Sequence, residues 1–427
     1  MRYMELNLVK PTATPEGIQD HVAIEENDDG GVIEYRGNIG VTVGPKKQRA
    51  IFHEPGEFDS LLERFLSRGF YIVPDKKAPS GKKAIKKTKG SGEYAPERSK
   101  AAEVFINLLR SLANKDVAET FTFSVDELTD AQIKEGRALL NYLAAEYMNM
   151  SLKEFNQEIC HYYSIIPRRM KRVSDYVARG KDKRGRKLSE EDALQERADI
   201  LTREKERFDT MVDLLTYEQK KSDLESKQKT VSEAYDLEIR DVTEEEEKYI
   251  RKMLGNLGDR YKRAWHVNNK RTEDAFNKFC EKEGLTEGNG IDHLFHGSRG
   301  ANFWSIITNG LTVNPQGVPI TGKAYGIGTY FAPSANKSIG YTDRVGAKYT
   351  DGHSDSGLLG IYKVATGNRY PGTYGCDHTL NWEKLQEIQP GAHCTWAEAR
   401  YSGFLMDEVI IYLDQQSTIT FLVEIAA

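Results

Sequence analysis

The stretch Leu294-Phe295-His296-Gly297-Ser298 ends a short apolar run with a histidine, a glycine and a serine. A turn accounts for the glycine and the serine, but it has no need of an imidazole. Further along stand Tyr330 in Gly328-Thr329-Tyr330-Phe331, then Lys337-Ser338 followed by Tyr341, and finally Glu408 opening the apolar run Val409-Ile410-Ile411-Tyr412. Aromatic rings can stack on a planar cation, and a carboxylate can orient a hydroxyl or stabilise positive charge as it develops on a sugar. Three other chemistries fail on spacing. Tyr325-Gly326-Ile327-Gly328 contains only G-x-G and leads into a strand, so the dinucleotide fingerprint is absent, and no G-K-[ST] phosphate loop occurs. Cys376, His378, His393 and Cys394 lack the spacing of a zinc finger, and no metal is expected. Neither Ser298 nor Ser338 lies in the G-x-S-x-G elbow of a serine hydrolase.

HGSRGANFWSIITNGLTV, PITGKAYGIGTYFAPSANKSIGY and DEVIIY resemble the catalytic core of the poly(ADP-ribose) polymerases, the diphtheria-toxin-like ADP-ribosyltransferases with a His-Tyr-Glu triad. The resemblance implies NAD+ as the substrate and no metal. It makes His296, Tyr330 and Glu408 catalytic, and it lines the NAD+ site with His296, Gly297, Ser298, Asn302, Tyr330, Lys337, Ser338 and Tyr341. In that reading the nicotinamide ring lies between Tyr341 and Tyr330, while the Gly297 backbone and the Ser338 hydroxyl take its carboxamide. His296 holds a ribose hydroxyl on the adenosine side. Glu408 accepts from the 2′-hydroxyl of the nicotinamide ribose and stabilises the oxocarbenium charge of the transition state. Lys337 matches a family lysine beside the serine and faces an acceptor, a phosphate or solvent.

The resemblance extends upstream. YYSIIPRRM at 162–170 and the heptad pattern at 194–215 are similar to the helical regulatory domain of DNA-dependent members, and residues 1–75 resemble their WGR domain. Arg36-Gly37-Asn38 stands where Trp-Gly-Arg is expected, and an asparagine cannot replace an arginine fork on phosphate. Taken over its whole length, the resemblance implies a protein ADP-ribosyltransferase, polymer-forming and self-modifying, restrained by its helical domain and stimulated by DNA strand breaks. The rivals are a mono-ADP-ribosyltransferase, an NAD+ glycohydrolase, or a non-catalytic nucleic-acid-binding scaffold.

The elements that must position these residues are legible as segments. With 427 residues, two or three domains are expected, and the overall class is multidomain α+β. Residues 1–75 form a small β-rich domain, with short alternating strands at Met4–Val9, Val22–Glu25, Gly31–Tyr35 and Ile39–Val43, a helix over Phe58–Phe65 and a strand at Phe70–Val73. Residues 76–98 are a basic linker, of which 76–93 hold seven lysines and three glycines; clustered lysines suit contact with a polyanion. Residues 99–230 read as an all-α bundle. Its apolar stripes are Val104, Phe105, Leu108, Leu109 and Leu112, then Ile133, Leu140 and Tyr147, then Leu194, Leu201, Phe208 and Leu215, with no polar constellation on those faces. Ser151-x-x-Glu154, Ser189-x-x-Asp192 and Thr243-x-x-Glu246 mark helix starts. Residues 231–427 form a mixed α/β domain with strands near 293–296, 328–332, 358–366, 408–413 and 418–424. The net charge of −5 selects no partner by itself, and four scattered cysteines fit a reducing compartment. The first residues lack the apolar core of a signal peptide, and no run is long enough to span a membrane. The expected location is intracellular, nuclear in a eukaryote and cytoplasmic or nucleoid-associated in a bacterium.

Overall fold

The computed structural model describes residues 2–40, 49–77, 93–124, 127–222, 229–313, 324–347, 353–372 and 376–427. Most of the lysine-rich linker therefore lies outside the described residues. Alternating side chains in the N-terminal segment give β1 (Arg2–Lys10), β2 (Ile18–Glu26), β3 (Val32–Asn38) and β4 (Arg49–His53), followed by helix α1 (Phe58–Leu66) and β5 (Tyr71–Ile72). They form one antiparallel sheet in the order β4-β3-β2-β1-β5. Leu6, Leu8, Val22, Ile24 and Val32 share one face and bury against Phe58, Leu61 and Phe65 of α1. The strand expected over Ile39–Val43 is not found at its start: Ile39 and Gly40 form a turn after β3, and 41–43 lie outside the described residues. Gly40 has φ 85°, a conformation that ends a strand. The fourth strand comes instead from Arg49–His53, an edge strand whose Phe52 is 76% exposed, so its pattern carries little burial signal.

Four helices follow: α2 (Lys100–Thr120), α3 (Asp130–Glu146), α4 (Leu152–Ile165) and α5 (Glu190–Ser222). The start of α4 is a reciprocal capping box between Ser151 and Glu154, and α3 begins with another between Thr129 and Gln132. Ser189 accepts the Asp192 N–H at 3.0 Å ahead of α5. The heptad stripe of α5 is buried at Leu201 and Phe208 but only half-buried at Leu194 and Leu215, while Met211, Leu214 and Tyr217 are buried instead. A strict seven-residue repeat drifts around a straight 3.6-residue helix, so the buried stripe walks off it over 33 residues. The bundle also corrects the expectation of purely apolar faces. Glu204, fully buried between Leu201 and Phe208, pairs with the buried Arg168 at 2.6 Å. A carboxylate can be carried there only with a cation against it.

The described residues group into two compact units, one holding 2–77 and 116–215 and the other 93–115, 216–313 and 324–427. In the first, Asn7 of β1 donates to Ser164 O at 2.8 Å and Ser164 Oγ accepts the Val9 N–H at 3.1 Å, which fastens the sheet to α4.

The second unit continues with α6 (Val231–Ala234), β6 (Leu237–Asp241), α7 (Glu244–Leu254), β7 (Tyr261–Asn269), α8 (Lys270–Glu283), β8 (Thr286–Glu287) and β9 (Gly290–Gly297). Next come α9 (Phe303–Asn309), β10 (Thr329–Phe331), α10 (Ala335–Ser338), β11 (Ser356–Ala365), β12 (Arg369–Pro371) and α11 (Trp382–Ile388). The chain closes with β13 (Cys394–Ala397), α12 (Ala399–Ser402), β14 (Glu408–Ile411) and β15 (Ser417–Ala426). Two sheets result, β6-β7-β15-β11-β9-β8 and β10-β14-β13-β12. They meet at Phe295 and Ala332, whose backbones exchange hydrogen bonds at 2.8 and 2.9 Å. Phe295, Leu359, Ile361, Phe421, Val423 and Ile425 bury one face of the larger sheet against Ile250 and Leu254 of α7. Among the described residues no helix is long and apolar enough to cross a membrane.

Candidate active site

The junction of the two sheets gathers the predicted residues. His296 is the penultimate residue of β9, directly opposite Gly360 of β11. Its Nδ1 lies 2.9 Å from the Tyr330 carbonyl, which can only accept, so Nδ1 carries the proton. Burial holds the imidazole below its ordinary value of 6.5 and keeps it neutral, so Nε2 presents a lone pair. Phe331 and Tyr362 pack at 5.7 and 6.1 Å from the ring.

Gly297 is required by space. A Cβ there would stand 1.9 Å from Ser338 O and 2.7 Å from Ser338 C. The next turn of chain is thereby allowed to press directly against the end of β9. Ser338 is buried on α10 and its hydroxyl donates to Phe295 O at 3.1 Å, leaving oxygen lone pairs. After Gly297 the chain turns through Ser298–Asn302, where Asn302 Nδ2 donates to Ser298 Oγ at 3.0 Å. Asn302 is only 9% exposed, and its Oδ1 has no hydrogen-bond partner among the described residues. A buried orphan acceptor suits a ligand that brings its own donors.

Tyr330 is held at its hydroxyl by two backbone groups. Its hydroxyl accepts the Tyr325 N–H at 2.9 Å and donates to Gly326 O at 3.2 Å, and burial pushes its pKa well up. Those contacts explain the G-x-G pattern. A Cβ on Gly326 would meet Leu380 O at 1.9 Å, and one on Gly328 would meet Ile410 Cγ2 at 2.2 Å, so both glycines serve close packing. Tyr341 is 39% exposed, its ring accessible for stacking.

Glu408 opens β14 and is buried. Antiparallel pairing sets Tyr330 opposite Ile410, two residues along from Glu408, so period-2 alternation directs Glu408 and Ile410 to one face of the smaller sheet. The Glu408 carboxylate meets Lys337 Nζ at 2.5 Å, and Lys337 in turn lies 5.6 Å from the centre of the Phe404 ring. This ion pair answers the choice left open for Lys337: its ammonium faces the glutamate. Sequence reasoning had no means to see it, because the two residues lie on different elements. It also passed over Asp343, whose carboxylate reaches the Gly300 N–H at 2.5 Å; its place two residues after Tyr341 was the available clue. Among the described residues no group of three or more metal-ligating side chains occurs.

The sequence model of the poly(ADP-ribose) polymerase catalytic domain matches residues 216–426. The chain is 30% identical over 180 residues to the poly [ADP-ribose] polymerase-like protein 100L of Invertebrate iridescent virus 6, covering 42% of this chain and 92% of the viral protein. It is 39% identical over 77 residues to poly [ADP-ribose] polymerase 1 of Gallus gallus, 18% of this chain and 7% of that one. Against poly [ADP-ribose] polymerase 2 of Homo sapiens it is 38% identical over 103 residues, 24% and 15% of the two chains. The matched stretch thus spans nearly all of the viral relative and a small part of the two vertebrate ones. By these matches the chain belongs to the poly(ADP-ribose) polymerase family and carries its NAD+-dependent ADP-ribosyltransferase domain.

Proposed function

We propose that the chain transfers ADP-ribose from NAD+ to proteins, itself included, and extends the first unit into a polymer. In this mechanism the nicotinamide stacks between Tyr341 and Tyr330, with its carboxamide on the Gly297 backbone and Ser338 Oγ. His296 Nε2, an acceptor, takes the hydrogen of an adenosine-ribose hydroxyl. Ser298 and Asn302 line the remainder, the orphan Oδ1 of Asn302 receiving a donor from the dinucleotide. Glu408 accepts from the 2′-hydroxyl of the other ribose. As the bond from C1′ to the nicotinamide nitrogen breaks, positive charge grows on that sugar, and the fixed carboxylate stabilises it more than it stabilises bound NAD+. The acceptor hydroxyl then attacks C1′ and passes its proton to Glu408. Lys337 aligns the carboxylate for both tasks.

The observation that carries this reading is the frame of His296 on Tyr330 O with Glu408 on the neighbouring strand. Its test is Glu408→Gln in the full chain. NAD+ turnover should fall by about 10²- to 10³-fold, the usual loss when one transition-state contact is removed. Unchanged turnover would overturn the role of Glu408. On a gel the wild type should give a polymer ladder; a single discrete shift would leave a mono-transferase.

Two further parts belong to the proposal. The first is restraint by the helical segment, supported by contacts within the second unit: Phe105 of α2 packs edge-on to Trp265 at 5.4 Å, and Arg110 lies 3.8 Å from the centre of the Tyr217 ring. Leu112 Cδ1 comes within 3.0 Å of where a Gly300 side chain would begin, beside the Gly297 loop. Activation would loosen these contacts, shifting a population from closed to open. The second is stimulation by DNA strand breaks through residues 1–75 and the lysine linker. Nε of Arg36 is engaged by the buried Glu34, so phosphate contact there needs the remaining guanidinium nitrogens. NAD+ consumption with and without nicked duplex tests it, and equal rates would refute DNA control.

A further inference from the structure

The chain after Tyr341 is anchored from the sheet side. Thr342 is fully buried, its hydroxyl donates to Ile339 O at 2.9 Å, and that oxygen lies 2.4 Å from where a Gly357 side chain would begin on β11. The Asp343 carbonyl accepts the Ser354 N–H at 2.8 Å. The Asp343 carboxylate thus rises from a fixed stretch of backbone. Its Oδ2 accepts the Gly300 N–H at 2.5 Å, and its Oδ1 lies 3.7 Å from Arg299 Nε. Arg299 and Gly300 belong to the turn that comes after Gly297. That turn has internal bonds, Asn302 Nδ2 to Ser298 Oγ and Asn302 N to Arg299 O, both at 3.0 Å. Internal bonds fix its shape without fixing its distance from Tyr341. The carboxylate of Asp343 does span that distance. Gly300 lets it approach, since a Cβ there would lie 3.2 Å from Oδ2.

We propose that Asp343 is a positioning residue for the nicotinamide half of the substrate, tying the loop that presents the Gly297 backbone to the segment that presents the Tyr341 ring. The inference rests on the assignment of Gly297 and Tyr341 to nicotinamide. A bound aromatic carboxamide is gripped at two places, ring and amide, and those two places lie on different segments. A charge-assisted bond to a backbone N–H is about twice as strong as a neutral one, which suits a tie that must hold two segments in register. The adenosine side of the site, at His296, is fixed separately by the Tyr330 carbonyl.

The test titrates wild type, Asp343→Ala and Asp343→Asn, each as the full chain, with benzamide and with ADP-ribose, and records thermal midpoints. Benzamide carries the ring and the amide alone; ADP-ribose lacks both. Asp343→Ala should weaken benzamide by about tenfold or more and leave ADP-ribose within about twofold. Asp343→Asn keeps an acceptor oxygen in place and should recover most of the benzamide affinity. Equal benzamide affinity in wild type and Asp343→Ala overturns the proposal. So does a parallel loss of both ligands, which would mark general loosening. A wild type that binds ADP-ribose but no benzamide would show that the nicotinamide assignment itself has failed, and the tie with it.

Discussion

Replacing Gly297 by alanine puts the packing of β9 against Ser338 to a quantitative test. The added Cβ would lie 1.9 Å from Ser338 O, whereas carbon and carbonyl oxygen need about 3 Å, so one side must retreat by about 1 Å. Neither side is loose. Gly297 is paired with Leu359 in the β9–β11 ladder, and Ser338 is fastened to Phe295 O. Overpacking of this kind costs about 1–3 kcal/mol. In a domain of this size that corresponds to a thermal midpoint lower by roughly 3–10 °C. The displacement falls on the groups that grip the carboxamide in the proposed pose, and a misplacement of about 1 Å typically costs about 10²-fold in rate. The assay is kcat/KM for nicotinamide release by Gly297→Ala beside a thermal melt. A variant with wild-type kcat/KM and an unchanged midpoint would refute both the crowding argument and the place of Gly297 in the site.

Lys337→Met should lower kcat by about 10- to 100-fold by releasing the Glu408 carboxylate, with Lys337→Arg recovering part of it; a wild-type kcat would show that the pair is incidental. Arg168→Met takes from the buried Glu204 its hydrogen-bonded partner, leaving Arg203 at 3.7 Å, and should destabilise the first unit by about 3–5 kcal/mol in urea melts, whereas the joint Arg168→Met and Glu204→Leu replacement should recover much of it. If the single variant melts like wild type, the Arg168–Glu204 pair contributes nothing to the fold. His21, His266, His293 and His296 all lie below 6.5 because burial disfavours their charged form. As pH falls through about 6.5 the unfolded chain takes up protons first, so stability is lost toward acid, and the urea midpoint should drop between about pH 7.5 and 5.5. A flat midpoint over that window would contradict the burial of these rings.

Local rules predicted elements well where burial and periodicity agreed. Ser151 and Thr243 cap their helices through reciprocal boxes with Glu154 and Glu246, as their spacing requires. β1 was legible from its sequence alternation of Met4, Leu6 and Leu8 with Glu5 and Asn7, although both faces of its second half are buried. Besides the exposed edge strand Arg49–His53, the misses were elements too short or too uniformly buried to show a period. Arg369–Pro371 is a three-residue edge strand containing a proline, and Cys394–Ala397 has no alternating polar side; its cysteine and the preceding histidine drew attention to metal chemistry. Every residue read as part of the site stood in the sequence, yet the contacts that organise it did not. Lys337 with Glu408, His296 with Tyr330 O, and Asp343 with Gly300 are pairings across elements, set by sheet register and by the approach of loops. Nothing in a linear spacing encodes them.

The Tyr330 carbonyl spends the only N–H of the neutral His296 ring, and this gives the outer end of that ring a sign. A lone pair welcomes a hydroxyl hydrogen and repels an anionic oxygen. In the proposed pose it meets a ribose hydroxyl of the adenosine half, so a dinucleotide carrying a phosphate on that hydroxyl would set like against like at the one place where the sugar is read. A single backbone oxygen, some thirty residues along the chain from the histidine, would then act as a filter between the plain dinucleotide and its phosphorylated form, without a charged side chain devoted to the task.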